Sequence, residues 1–197
     1  MYMIEGLEII IKQLELGDEQ FLHAWGNDSG IMEYSGLKYG FLWSKEAFRR
    51  EIIKDIENTE IFPEEKTFII YKKKGLEPIG HISYRNWDKR NRSAEIGIEI
   101  AKLSERGRGY GQDALYHFLD FMFRFLNLNR IMLKTRVDNI AAQRLYKKLS
   151  FKNVGIMRDA WFDSRDCKYV NFLYMDLLLR DWIKRTEQPM FNKSDVS

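Results

Sequence analysis

Residues Arg106-Gly107-Arg108-Gly109-Tyr110-Gly111 place three glycines at alternate positions beside two arginines, immediately ahead of a helical pattern. Glycine removes a Cβ where backbone must pass close to another group. A helix opening on such a turn presents amide protons without internal partners, together with the positive end of its macrodipole. That combination is an anion site, and phosphate is its usual occupant. The same spacing also suits a tight strand-to-helix turn that binds nothing. Just upstream, Glu95, Gly97 and Glu99 alternate with Ile96, Ile98 and Ile100, so the two glutamates share one strand face. Either carboxylate could take a proton from an amine through a water, and either equally fits the exposed face of an alternating strand.

Several chemistries are excluded. Counting from Gly107, a dinucleotide fingerprint requires glycine or alanine where Gln112 stands, and a Walker loop requires Gly-Lys-Ser/Thr where Ala114 and Leu115 follow. Kinase catalytic-loop and Asp-Phe-Gly signatures are absent. The single cysteine, Cys167, permits no internal disulfide or multi-cysteine zinc site, and no histidine stands near it in sequence to make it a nucleophile. His23, His81 and His117 are scattered without metal-ligand spacing, so no metal is expected.

The 197 residues carry 32 basic and 29 acidic side chains, a net charge of +3 that argues against a nucleic-acid partner. No apolar run reaches the ~20 residues of a membrane span. The longest, residues 118–128, is interrupted by Asp120, Arg124 and Asn127. The first residues lack the basic and apolar regions of a signal peptide. A cytoplasmic protein with no membrane partner is expected, as a monomer or homodimer.

The elements that must position the glycine turn follow from periodicity. The β-branched run Ile9-Ile10-Ile11 predicts a strand over residues 6–14. Asp18 then caps a short helix bearing Phe21, Leu22 and Trp25. Ser44 caps a second helix, with Ala47, Phe48, Ile52, Ile53 and Ile56 as its core stripe. Residues 67–71 and 79–84 pair as strands. The lysines at 72–74 between them fit a solvated hairpin tip better than a phosphate site. Residues 94–100 form a strand, and the helix after the glycine turn buries Ala114, Leu115, Phe118, Leu119, Met122, Phe125 and Leu126. Residues 131–137 form the next strand, so strand, turn, helix and strand make a crossover with parallel strands. Asp138 or Asn139 caps a helix through Leu149, and two further strands occupy 154–162 and 169–177. One α/β domain over residues 1–185 is expected, with a flexible tail at 186–197.

Two motifs in order then carry a family resemblance. Arg106-x-x-Gly109-x-Gly111 resembles the acyl-CoA pyrophosphate loop of the GCN5-related N-acetyltransferase (GNAT) superfamily. Val137-Asp138-Asn139-Ile140-Ala141-Ala142-Gln143-Arg144-Leu145-Tyr146-Lys147-Lys148-Leu149-Ser150-Phe151 resembles its Asn-x-x-Ala-x-x-Leu-Tyr-x-Lys-x-Gly-Phe signature. Ala94-Glu95-Ile96-Gly97-Ile98 and Leu177-Leu178-Leu179-Arg180-Asp181-Trp182 resemble the branch that acetylates ribosomal-protein N-termini. Ser150 replaces the usual glycine before Phe151, in a turn that calls for positive φ.

The resemblance implies a mostly antiparallel mixed sheet, flanked by helices and splayed between two parallel central strands, with acetyl-CoA in the gap. It implies coenzyme contacts from Ile98, Glu99, Ile100, Arg106, Gly107, Arg108, Gly109, Tyr110, Gly111, Gln112, Asn139 and Tyr146. Asn139 could equally just cap its helix. Tyr146 would also be the general acid for the leaving thiolate, and Glu95 is favoured over Glu99 as the base. Trp43, Tyr34, Trp161 and Phe162 are candidates for an acceptor groove. The acceptor would be a primary amine attacking directly in a ternary complex. A protein N-terminus leads, ahead of polyamines, aminoglycosides and amino sugars; a non-catalytic acyl-CoA-binding module is the alternative from another class.

Overall fold

Alternating isoleucines, punctuated by Gly, Asn and Asp, build a sheet whose two faces are covered by different helices. A computed structural model describes residues 4–187. Among them the strands are β1 (Ile4–Glu5), β2 (Ile9–Gln13), β3 (Lys66–Lys72), β4 (Pro78–Asp88), β5 (Ser93–Ile100), β6 (Arg130–Arg136), β7 (Lys152–Asp163) and β8 (Lys168–Leu178). They lie in the order β1-β2-β3-β4-β5-β6-β8-β7. Every neighbouring pair is antiparallel except β5 and β6, which run parallel. The helices are α1 (Glu19–Gly26), α2 (Lys45–Glu57), α3 (Tyr110–Asp120), α4 (Ile140–Lys148) and α5 (Leu179–Glu187). None of them is long and apolar enough to cross a membrane.

The larger core lies on one sheet face, where Ile82, Ile96, Leu133 and Leu173 meet Leu115 and Phe118 of α3, Tyr146 of α4 and Trp182 of α5. Fully burying a side chain of this size contributes ~1.5–3 kcal/mol, so this face carries most of the stability. A smaller cluster of Leu14, Ile52 and Ile69, with Leu22 and Trp25 against it, joins α1 and α2 to the opposite face.

The sheet opens because β5 and β6 each follow their outer neighbour. Their pairing lasts only through Ser93–Arg130, Ala94–Ile131 and Glu95–Met132. Beyond it β5 stays with β4 as far as Ile100, while β6 stays with β8 as far as Arg136–Phe172. The residues between, from Ile96 on one strand and Leu133 on the other, border a gap. Gly80 fixes one wall of that gap. A Cβ there would lie 2.1 Å from the Glu99 carbonyl oxygen, so only glycine lets β4 approach β5 at this point.

Several expectations change against the structure. β1 and α5 were not read from the sequence. Asp18 occupies the cap position of α1, but its carboxylate instead accepts from the Glu15 N–H at 2.9 Å and the Tyr71 hydroxyl at 3.3 Å. Ser44 does cap α2, accepting from the Ala47 N–H at 3.1 Å. Of that helix's expected stripe only Ile52 is buried, since α2 covers a small cluster rather than the main core. The stripe of α3 holds through Met122 and again at Leu126, and fails only at Phe125. Residues Phe121–Phe125 form a π turn, whose extra residue rotates the face, leaving Phe125 66% exposed and burying Phe123. The lysine hairpin is less solvated than expected, because Lys72 pairs with Glu77 and Glu105 and Lys73 with Glu5. Thr186 and Glu187 close α5, and residues 188–197 of the expected tail lie outside the described residues.

Ser150 sits at φ +72° between α4 and β7, where the Phe151 N–H returns to the Tyr146 carbonyl at 3.0 Å. A side chain in this region costs ~1–2 kcal/mol, part of which glycine loses again to unfolded-chain entropy. Ser150→Gly is therefore expected to raise Tm by ~1–3 °C, and Ser150→Val to lower it by more. Differential scanning calorimetry of the two variants reads the sign directly.

Candidate active site

A cavity of about 690 Å³ opens where β5 leaves β6. Its walls bring together Ile98, Glu99 and Ile100 from β5, Arg106, Gly107, Gly109, Gly111 and Gln112 from the glycine turn and α3, and Asn139 and Tyr146 from α4. These ten of the twelve expected coenzyme contacts converge on one space. Arg108 and Tyr110 do not line it. Arg108 points outward and reaches Glu105 at 3.5 Å.

Backbone conformation explains two of the three glycines. Gly107 and Gly109 stand at φ +77° and +88°, where a Cβ is strained. Gly111 does not, and a Cβ there would make only ordinary contacts with Ile100 at 3.5 Å and Leu145 at 3.7 Å. The turn ends on α3 with Gly109 as its cap residue and no side chain bonded to the cap, so its first amides remain available to an anion.

Arg106 lines the cavity and is also held by protein groups. Its Nε donates to the Ile100 carbonyl at 2.7 Å, and its Nη2 donates to the Ile31 carbonyl at 3.4 Å and lies 3.7 Å from Glu99. It braces the free end of β5 against the turn that follows α1. Asn139 caps α4, with Oδ1 accepting from the Ala142 N–H at 3.1 Å, and still borders the cavity. Tyr146 is buried, with its ring 5.9 Å from Phe151, and burial pushes its phenol up to about 12.

The two strand glutamates differ in surroundings. Glu95 is clasped by Arg85 at 2.5 Å and Lys134 at 3.8 Å and does not line the cavity. Glu99 lines it, and burial pushes its carboxyl up to about 7 against the pull of Arg106. On the same sheet face stand His81, Ser83 and Arg85 of β4 and Lys134 and Arg136 of β6.

A short 3-10 turn, Ile31–Ser35, closes this side with Ile31, Tyr34 and Ser35. The β7–β8 hairpin holds it down. The Trp161 Nε1–H donates to the Ser35 carbonyl at 2.7 Å, and the Ser164 hydroxyl donates to the Gly36 carbonyl at 2.9 Å. Beneath, the Arg136 guanidinium sits 5.9 Å from the Tyr34 ring centre and pairs with Asp138 at 2.6 Å and the fully buried Asp163 at 2.5 Å. Arg165 and Arg136 hold the Asp163 carboxyl well below the usual carboxylate range. Of the aromatic candidates, Tyr34 lines the cavity and Trp161 supports its wall. Trp43 packs on Phe41 and Phe48, and Phe162 on Tyr169.

Sequence reasoning missed His81, Arg85, Lys134 and Arg136 as wall residues. Strand alternation puts them on one face, but only the sheet order brings β4 and β6 to either side of β5. Arg85, Arg106, Lys134, Arg136, Arg144 and Lys148 line the cavity with Glu99 and Glu105. The strand cations are paired with carboxylates, whereas Arg144 and Lys148 of α4 form no ion pair among the described residues and leave positive charge on that wall. An elongated polyanion such as acyl-CoA fits that charge and the free amides of α3.

Comparison with known proteins agrees. The acetyltransferase (GNAT) domain model matches residues 8–152. A spermidine N(1)-acetyltransferase of Vibrio cholerae is 25% identical over 181 residues, covering 91% of this chain and 98% of the relative. The crystal structure of a V. cholerae spermidine N-acetyltransferase in complex with CoA and spermine superposes with a TM-score of 0.78 at 26% identity, covering 89% of this chain and 98% of that one. A putative ribosomal N-acetyltransferase of Bacillus subtilis, YdaF, is 34% identical but matches only 54% of each chain. The expected kinship with the ribosomal branch thus rests on half the chain, whereas likeness to the spermidine enzymes spans nearly all of it. The motifs, the splayed parallel pair and the family match agree: this chain belongs to the GNAT family of acyl-CoA-dependent N-acetyltransferases.

Proposed function

We propose that the chain acetylates a primary amine of a small molecule, with a polyamine as the acceptor class, and that Glu99 and Tyr146 carry the proton transfers. The observation that supports this most is the placement of Glu99. It is the cavity carboxyl at the free end of β5, with a proton affinity raised to about 7 by burial. The breadth of the likeness to spermidine acetyltransferases supports the acceptor class over the protein N-terminus expected from sequence.

A polyamine nitrogen resembles a lysine amine, with a pKa of ~10.4, and is neutral in only ~0.04% of molecules at pH 7. It must lose a proton before its lone pair can attack. Glu99, rather than the ion-paired Glu95, takes that proton through a water. Acetyl-CoA supplies an acetyl group already activated as a thioester. The amides of α3 and the glycine turn hold its pyrophosphate. Asn139 and the free edge of β5 orient its arm. Tyr146 stays protonated throughout the neutral range, and its hydroxyl donates to the departing sulfur. A phenol at about 12 is a far weaker acid than a thiol at ~8.5, so the phenolate takes back, through water, the proton that the attacking nitrogen releases as it becomes an amide. No covalent enzyme intermediate is required.

One feature favours a second acceptor class. Arg85 and Lys134 share the single carboxylate of Glu95, which leaves positive charge over on the acceptor face. That surplus suits an amine with an anionic group beside it, as at a peptide N-terminus followed by an acidic residue. A steady-state panel of spermidine, spermine and N-terminal peptides separates the two. The polyamine reading expects at least a tenfold advantage in kcat/KM for the polyamines, and a preference for acidic peptides overturns it.

The two proton-transfer roles generate their own tests. The carboxylate form of Glu99 is the active base, so kcat/KM should rise with pH through about 7 and then level off. Glu99→Gln should abolish that acidic limb. Tyr146→Phe keeps the packing on Phe151 while removing the donor, and should lower kcat by ~10²–10⁴-fold with coenzyme affinity unchanged by calorimetry.

A further inference from the structure

His81 is the cross-strand neighbour of Glu99. The two are directly opposed in the β4–β5 register, so their side chains project from the same sheet face, with Cβ atoms ~4.5–5.5 Å apart. His81 lines the cavity, and its ring stacks on Trp25 at 6.4 Å and 18° from parallel, which fixes the imidazole plane. Its Nδ1 is shielded from solvent and has no hydrogen-bond partner among the described residues. A buried nitrogen left without a partner costs ~1–3 kcal/mol, a cost that needs a compensating role.

We propose that His81 is the positioning residue of the base: its Nδ1 lone pair accepts the hydrogen bond of the Glu99 carboxyl once that carboxyl has taken the amine's proton. The proposal rests on the reading of Glu99 as base. It accounts for the orphaned nitrogen without requiring imidazole to change charge. Burial holds the imidazole pKa down to about 4, so the ring is neutral at assay pH and offers a lone pair rather than a competing base. A hydrogen bond to the protonated carboxyl favours that form and so raises Glu99's proton affinity beyond burial alone. Opposing it is Arg106, 3.7 Å from Glu99 on the following loop. The other charged or titratable groups of the cavity wall are Tyr34 of the 3-10 turn, Arg85 on β4, Glu105 after β5, Lys134 and Arg136 on β6, and Arg144, Tyr146 and Lys148 on α4. Besides Glu99, the register and ring-stacking neighbours of His81, Ile69 of β3 and Trp25 of α1, are uncharged.

The test compares pH profiles of kcat/KM for the wild type, Glu99→Gln, His81→Leu and His81→Asn, with coenzyme binding measured by calorimetry. His81→Leu removes the acceptor, so the acidic limb should move down by about one pH unit and the plateau fall several-fold, with coenzyme affinity unchanged. His81→Asn places a side-chain oxygen near the Nδ1 position and should restore the limb to within ~0.5 unit of wild type. A midpoint unmoved in His81→Leu, with the limb lost in Glu99→Gln, overturns the role of His81 alone. A limb that survives in Glu99→Gln overturns Glu99 as base, and His81 with it. Should the leucine variant fail to fold, ¹⁵N spectra of the wild-type imidazole decide. Nδ1 should remain unprotonated and its shift should follow a titration near pH 7, whereas a shift flat through that range overturns the proposal.

Discussion

Two parallel strands that can pair for only three residues dictate the rest of this molecule. β5 is tied to β4 down to Ile100 and β6 to β8 as far as Arg136, so neither can follow the other beyond Glu95 and Met132. Separated strands leave backbone polar groups that need partners from elsewhere. Arg106 takes up one of them at the Ile100 carbonyl, and the remainder of the edge faces the cavity. The crossover between these strands begins with the glycine turn and α3, so the same geometry that opens the sheet also brings free helix amides to the opening. α4, which starts just past the end of β6, delivers Asn139 and Tyr146 to the other wall. A single topological constraint thus brings the gap, the unbonded amides of α3 and the Tyr146 hydroxyl to one place.

Charge then divides the gap into two ends. Amides and cations gather where a polyanion would lie. On the open sheet face the cations are largely committed to carboxylates: Arg85 and Lys134 to Glu95, and Arg136 to Asp138 and Asp163. Glu99 stands between these groups with Arg106 the one charged partner close by, and burial raises its proton affinity against that pull. The buried Arg136–Asp163 pair joins β6 to the β7–β8 hairpin that holds down the turn bearing Tyr34 and Ser35. Each partner keeps a second ion pair, Arg136 with Asp138 and Asp163 with Arg165, so the network ties the turn that lines the cavity to the sheet through more than one contact.

Local signals made much of this legible in the sequence. Strand alternation located β5 and β6, Ser44 marked the start of α2, and the glycine turn and Asn139–Tyr146 motif named most of the residues that border the cavity. The unreadable parts depend on distant neighbours. The choice between Glu95 and Glu99 turns on which of two residues on one face meets Arg85 and Lys134, and strand alternation treats the two alike. Arg136 and Asp163 are 27 positions apart, with no pattern joining them. The π turn at Phe121–Phe125 is a packing event, invisible to a 3.6-residue period until Phe123 is seen buried and Phe125 exposed. His81 looked like one of three scattered histidines until the register set it against Glu99.

The central claim is that coenzyme occupies the opening between β5 and β6 and is held by the turn into α3. Amide hydrogen–deuterium exchange with and without saturating coenzyme A tests it most directly, since it requires no substitution. The account predicts protection concentrated in three segments: residues 97–100 of β5, residues 106–112 of the glycine turn and first turn of α3, and residues 139–146 of α4. Protection absent from the glycine turn, or centred on a different part of the sheet, would contradict it.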